Sequence, residues 1–301
     1  MKGFVNIYKP LNMTSSDAVV LVRGILRRAI GEKQKTGHLG TLDPLATGVL
    51  PVAVGNATRL FDYMQKKQKV YVATFKFGIT TDTLDSGGKI TDSSSVKILG
   101  RDIERISDSL TGEIMQMPPQ YSAKSIGGVR AYDIARAGGT ADLKPKKVEI
   151  HSIKQIEAIN GTVPLPNGEY TLSDNEFAFE ITCGSGTYIR AIARDMAFML
   201  CTVGYMTSLC RIKSGDFELN QAVRIEEFER EPLKHILPME TALKGFVKVD
   251  LTDSDGVKAL NGVAVTCEQA PTGIPIAVSI CGNTVGIGEI HNGKLKLVTR
   301  L

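Results

Sequence analysis

The sequence predicts an α+β protein that ends in a small β-rich module. Three observations lead to this. Residues 70–79 alternate apolar and polar side chains over ten positions, with Tyr71, Phe75 and Phe77 on the more apolar face, which is the period of a strand. Val19, Val22, Leu26 and Ala29 recur at helical spacing. From about residue 249 the texture changes to short apolar runs separated by Gly, Pro and Asn.

The elements follow in order. Residues 3–8 read as a short strand, and Lys9-Pro10-Leu11-Asn12 as a turn in which Asn12 takes a left-handed backbone. Thr14, Ser15 and Ser16 offer N-caps to the 19–29 helix, and Gly31 sits where a C-cap glycine would. Residues 37–48 are bracketed by glycine and interrupted by Pro44, hence a loop; Val49–Val54 follows as a buried strand. Asn56 or Thr58 is expected to cap a helix through about Met64. Residues 80–95 read as a surface loop, and 116–120 as a break. Phe177, Phe179, Ile181 and Cys183 alternate on a second strand. A helix then begins near Thr187, with Ile189, Ile192, Met196 and Met199 as its stripe and Arg190 off it. Residues 225–246 form a connector.

Composition narrows the class. A chain of 301 residues fits one large domain or two unequal ones. Its 43% hydrophobic content is globular, and no apolar run nears the roughly 18 residues of a membrane span. The polar start of the chain leaves no room for a signal-peptide core, so a cytoplasmic protein is expected. Five cysteines without C-x-x-C predict buried free thiols, and four scattered histidines call for no metal. The 12 Lys/Arg against 4 Asp/Glu in residues 1–80 suit a polyanionic partner. A solvated lysine-rich surface explains the same count equally well.

The chemistry-bearing residues are few. There is no P-loop, no complete dinucleotide fingerprint and no G-x-S-x-G elbow. Asp43, on a glycine-bracketed loop stiffened by Pro44, is a candidate nucleophile or base. Pattern alone favours the plainer role of an Asp-Pro turn residue. By pattern alone Arg190 reads as a surface arginine, Tyr71 and Leu209 as core, and His38 as a loop histidine.

Taken together, five blocks change that weighting. Residues 8–15 (YKPLNMTS) resemble D-K-P-x-G-x-T-S; residues 37–48 (GHLGTLDPLATG) resemble G-H-x-G-[TA]-L-D-P-x-A-x-G over twelve positions. Lys69-Val70-Tyr71 resembles K-x-Y, residues 118–123 (PPQYSA) resemble P-P-x-Y-S-A, and residues 184–190 (GSGTYIR) resemble K-G-T-Y-I-R. Together they resemble the blocks of the bacterial tRNA pseudouridine synthase B family, and the resemblance covers residues 3–220 well.

The resemblance implies a pseudouridine-synthase fold, a mixed and mainly antiparallel sheet flanked by helices and loops, over residues 1–246. A PUA-like RNA-binding domain would occupy residues 247–301, with residues 285–290 (VGIGEI) as its best piece. It implies a cofactor-free, metal-free isomerase acting on uridine 55 in the T loop of tRNA, by base flipping and re-attachment of uracil through C5. Asp43 would be the nucleophile, or a base that yields a glycal. Arg190 would pair with Asp43 and keep it ionised; Tyr71 would stack on uracil and help remove the C5 proton. Leu209 would pack against the base, Tyr188 would contact the flipped nucleotide, and His38 would enter the space the base leaves. The partner is tRNA, through its T arm and, by the C-terminal domain, its acceptor end; a monomer with no membrane and no protein partner is expected.

Departures from the family pattern are Tyr8 for Asp, Asn12 for Gly, Ser125 and Ser185 for Lys, and Cys210 for Arg. They bear on phosphate contacts and hence on affinity. Two alternatives remain at this level: a non-catalytic tRNA-binding or tRNA-folding protein, and a guide-RNA-dependent relative.

Overall fold

A computed structural model describes every residue but 97, 99, 123, 268 and 269, and every side chain but those and 125 and 126. Ala123 and the side chain of Ser125 therefore lie outside the described residues. A mixed sheet runs Gly3–Lys9, Ala46–Val54, Gly204–Ser214, Lys69–Phe77, Glu176–Cys183, Lys146–Ile156, Gly112–Gln116. Every neighbouring pair along this path is antiparallel except Ala46–Val54 with Gly204–Ser214, which is parallel.

That parallel step positions the site. Leu209 lies opposite Ala46, Cys210 opposite Thr47 and Arg211 opposite Gly48. The loop before Ala46 therefore emerges beside Leu209. The approach is close: at Gly48 (φ 100°) a Cβ would stand 2.3 Å from the Arg211 carbonyl oxygen. Gly48→Ala combines a backbone clash with an unfavourable φ, and should cost on the order of 2–4 kcal/mol. Urea unfolding would measure it; a loss under about 0.5 kcal/mol would contradict this packing.

The helix Ser15–Ile30 forms with the expected cap and stop, and Val19, Val22 and Leu26 of the expected stripe are buried, whereas Ala29 is exposed. The Thr14 hydroxyl accepts from the Asp17 N–H at 3.0 Å, the Asp17 carboxylate accepts from the Thr14 N–H in return, and Gly31 closes the helix at φ 84°. Ala18, Val22, Ile25 and Leu26 are its buried stripe, and Val22, Ile25 and Leu26 join Val5, Ile7, Val52 and Val54 in one core cluster. Asn12 adopts the left-handed turn (φ 60°), and its N–H reaches the Pro44 carbonyl at 2.9 Å. Further along the same face of the sheet Phe75 and Phe179 pack with centroids 5.0 Å apart, with Ile181, Ile192 and Met196 around them.

Several local expectations are corrected. His38 ends a short strand, Thr36–His38, because Gly37 and His38 pair with Ala53 and Val52. Neither Asn56 nor Thr58 caps a helix: Gly55–Leu60 is a 3-10 turn running into a short helix, Phe61–Gln65. The Thr58 hydroxyl instead donates to the Gly55 carbonyl within its own turn. Residues 80–95 are not a free loop, since Ile79–Thr81 and Ile90–Ser93 form a hairpin. The helix expected near Thr187 begins at Ile189, and Met199 at its end is exposed. Cys183 and Cys210 are buried, whereas Cys201 and Cys281 are exposed on left-handed turns.

Residues from Val247 onward build a second, five-stranded sheet in the order Val247–Leu251, Ile276–Ile280, Asn283–His291, Lys294–Arg300, Val265–Thr266. A helix, Asp253–Leu260, which the strand-like texture did not announce, packs Gly256 against Ile280. The sheet shares a cluster with the rest of the chain through Ala277 and Ile287, which meet Met239, Ala242 and Leu243. Among the described residues no helix is long and apolar enough to cross a membrane.

Candidate active site

The loop 39–45 is held from three sides by groups that hydrogen-bond to its backbone. Ser15 Oγ donates to the Leu42 carbonyl at 2.9 Å and accepts from the Leu42 N–H at 2.8 Å. Lys9 Nζ, buried beneath the loop, donates to the carbonyls of Pro10, Met13 and Pro44. Arg211 donates to the carbonyls of Gly40 and Thr41. The conformation is thus set by the backbone, and the Asp43 side chain is left to face outward into a cavity.

That cavity has a volume of about 540 Å³. Tyr71 and Leu209, neighbours on adjacent strands, form part of its floor; Tyr188, Ile189, Lys124 and Lys146 stand around it. Arg190 Nε meets Asp43 Oδ2 at 2.9 Å. The rest of the guanidinium is also engaged: Nη1 donates to the Thr83 carbonyl at 2.9 Å and lies 3.5 Å from Asp85 Oδ2, and Nη2 donates to the Tyr121 carbonyl at 3.0 Å. Arg190 is buried because helix Ile189–Met199 turns its first residues inward, so the reading of a surface arginine fails.

Burial is the dominant electrostatic effect here. It raises the Tyr71 phenol well above its usual range, so Tyr71 is a neutral O–H at neutral pH. It raises Tyr188 likewise. The Tyr188 backbone is clamped by Gln116, which accepts from its N–H at 2.8 Å and donates to its carbonyl at 3.2 Å.

Asp43, Tyr71, Tyr188, Arg190 and Leu209 therefore meet at one cavity, though up to 166 positions separate them in sequence. His38 does not line it. Its Nδ1 is buried without a partner among the described residues, and burial lowers its basicity, so the imidazole is neutral. Cys210 alternates to the opposite face from Leu209 and is buried, so its thiol does not reach the cavity. Ser185 does line it. Among the described residues no three His, Cys, Asp or Glu side chains converge as metal ligands would.

Four residues were assigned no role from the sequence, although Lys69 stands in one of the five blocks. Lys69 and Arg211 carry charge at positions i−2 from Tyr71 and i+2 from Leu209, and so share the apolar face; that misplaced charge was the available signal. Asp85 and Gln116 gave no local signal, since only the folded chain brings them to Arg190 and Tyr188.

Comparison with known proteins agrees with this geometry. Residues 27–189 match the model of the TruB family pseudouridylate synthase N-terminal domain. Over 270 residues the chain is 38% identical to tRNA pseudouridine synthase B of Clostridium kluyveri, covering 89% of this chain and 87% of that one.

The chain belongs to the TruB family.

Other members extend the match to the C-terminal sheet. The Synechocystis tRNA pseudouridine synthase B is 36% identical over 96% of this chain and 93% of its own. That of Novosphingobium aromaticivorans is 37% identical over 98% and 95%. Among solved structures, a chain of an H/ACA ribonucleoprotein bound to a substrate RNA superposes with a TM-score of 0.69 at 21% identity, covering 99% of this chain and 84% of that one. This TruB-family chain thus has the pseudouridine-synthase fold.

Proposed function

We propose that this protein isomerises uridine to pseudouridine at position 55, in the T loop of tRNA, without a cofactor. The observation that carries the reading is the Asp43–Arg190 pair at 2.9 Å on the wall of a cavity floored by Tyr71 and Leu209. A flat, neutral base needs apolar and aromatic walls, and a base in a folded RNA loop must flip out to reach them. Membership of the TruB family supports the same reaction, and its relatives named above are tRNA pseudouridine synthases.

In this reading the flipped uracil stacks on Tyr71 and packs against Leu209, with Tyr188 beside the nucleotide. Asp43 either attacks C1′ or removes a ribose proton to give a glycal; in both routes the C1′–N1 bond breaks and its electron pair leaves with uracil. The base turns and C5 bonds to C1′ as the Asp43–C1′ bond breaks or, in the glycal route, as the ribose proton returns; the C5 proton then departs and N1 gains a proton, so substrate and product are isomers. Tyr71 assists departure of the C5 proton as a neutral phenol. Arg190 fixes the carboxylate through its planar fork. His38 acts at the space vacated in the RNA rather than in the cavity. Residues 1–246 form the catalytic domain, and 247–301 act as a PUA-like module on the acceptor end. The protein works as a cytoplasmic monomer, with no protein partner and no membrane.

The test is tritium release from unmodified tRNA labelled at uridine C5, with no guide RNA added. Release near one equivalent, lost when position 55 is cytidine, is the expected result. Salt-dependent binding with no release would favour the non-catalytic tRNA-folding alternative; release only with an added guide would favour the guide-dependent one.

A further inference from the structure

The cavity floor carries two cations that the steps above leave unused. Lys69 and Tyr71 are two apart on one strand and share a face, and Arg211 is the cross-strand partner of Tyr71. Leu209 pairs with Ala73 in the same register. The floor is therefore apolar at the Leu209 end and cationic at the Lys69–Arg211 end, with Tyr71 between. Lys69 is 6% exposed and Arg211 1%, yet both line the cavity. They converge on the bare face of Gly40, where a Cβ would lie 3.6 Å from Arg211 Nη1 and 4.0 Å from Lys69 Cε.

Buried cations usually have a carboxylate partner. Among the described residues neither of these forms an ion pair, and Asp43 is taken by Arg190. Their protein acceptors are carbonyls and, for Arg211, the Tyr71 hydroxyl. Lys69 Nζ donates to Gln65 at 2.7 Å and Lys67 at 2.8 Å; Arg211 donates to Val49 at 2.8 Å, Gly40 at 3.1 Å and Thr41 at 3.4 Å. An ammonium has three donors and a guanidinium five. One N–H of Lys69 and one of Arg211 are thus left over among the described residues, at a water-poor site that would favour an anion.

The reaction makes one. Heterolysis of C1′–N1 leaves the electron pair on uracil, spread over N1, O2 and O4. Resting on the isomerase reading, we infer that Lys69 and Arg211 stabilise the uracil anion released by that cleavage and hold it in the cavity while it turns. The charge returns to the Asp43 carboxylate when the C1′–C5 bond forms, either as that carboxylate leaves C1′ or as it gives back the ribose proton; the loss of the C5 proton and protonation of N1 then balance, so no co-reactant is required. Preorganised charge facing a developing anion is the device used at oxyanion sites.

A purely structural role, holding loop carbonyls, is the competing explanation, and single-turnover kinetics separate the two. Lys69→Gln should slow rearrangement about 100-fold while tRNA affinity changes less than about threefold, since the interaction exists only after cleavage begins. Lys69→Arg should recover most of the rate. The pH profile supplies a second readout. Burial, reinforced by Arg211, lowers Lys69 to about 8, so the active protonated form is lost as pH rises through that value. The other groups facing it titrate higher: Cys183 is pushed up to about 11 and Tyr71 is raised. Lys9, beneath the loop, is also lowered to about 8, which makes the variant decisive. Lys69→Arg should remain active through about pH 9; a limb unmoved in that variant belongs to Lys9 and overturns the inference. Fluorine at C5 makes uracil a weaker base that needs less stabilisation. With 5-fluorouridine at the target, followed by chromatography of the C-glycoside, the Lys69→Gln penalty should shrink about tenfold. Equal penalties on both substrates, or an unimpaired Lys69→Gln, would also overturn it. If Lys69→Gln does not fold, the Lys69→Arg profile decides alone. No release by wild type overturns the isomerase reading and this inference together.

Discussion

Asp43→Ala is expected to abolish tritium release, by at least ~10⁴-fold, while tRNA binding stays within about threefold. The expectation follows from how the loop is built. Its shape comes from backbone contacts to Ser15, Lys9 and Arg211, none of which touches the Asp43 carboxylate. Truncation therefore removes the reacting group and leaves the loop in place. Arg190 loses one partner but keeps Asp85 and the carbonyls of Thr83 and Tyr121. Stability should accordingly change little, which circular dichroism and urea unfolding would verify. A mutant with wild-type turnover would remove Asp43 from the mechanism. A mutant that also fails to bind tRNA would mean that the carboxylate shapes the RNA surface rather than the reaction.

Arg190 gives the second large effect, and its two substitutions separate chemistry from folding. Arg190→Lys keeps the charge but offers a point ammonium where a planar fork now contacts Asp43, Asp85 and two carbonyls. Turnover should fall about 10²–10³-fold with a smaller loss of tRNA affinity, because misplacing a reacting group by about an ångström costs on that order. Arg190→Met removes the charge altogether. Asp85, 9% exposed, would then be buried without a counter-ion, and an uncompensated buried charge costs about 3–5 kcal/mol. Urea unfolding of the two variants side by side measures the difference. Equal stability of Met and Lys variants would show that Asp85 finds water or another donor, and near-normal turnover of the Lys variant would argue against a positional role for the pair.

Much of the molecule was legible because it is locally encoded. The alternation through Tyr71, Phe75 and Phe77, an N-cap among Thr14, Ser15 and Ser16, the Gly31 terminator and the left-handed Asn12 each express a preference contained within a few residues. Where expectations failed, a tertiary partner outweighed the local rule. Strand pairing with Val52 drew His38 out of the loop, the Gly55 carbonyl took the Thr58 hydroxyl, and hairpin pairing organised residues 80–95. Arg190, exposed by pattern, is buried because two carboxylates and two carbonyls from other segments replace its water.

The sequence by itself determined the spacing of the blocks, the identity of Asp43, Tyr71 and Arg190, and through them the family. Only the tertiary structure decided that Lys69 and Arg211 share the floor with Tyr71, that Asp85 meets Arg190 and Gln116 the Tyr188 backbone, and that His38 and Cys210 do not line the cavity. The physical reason is range. Backbone preference and side-chain period act over a few residues, whereas burial and charge depend on what the parallel junction of Ala46–Val54 with Gly204–Ser214 brings within about 4 Å from more than 150 positions away.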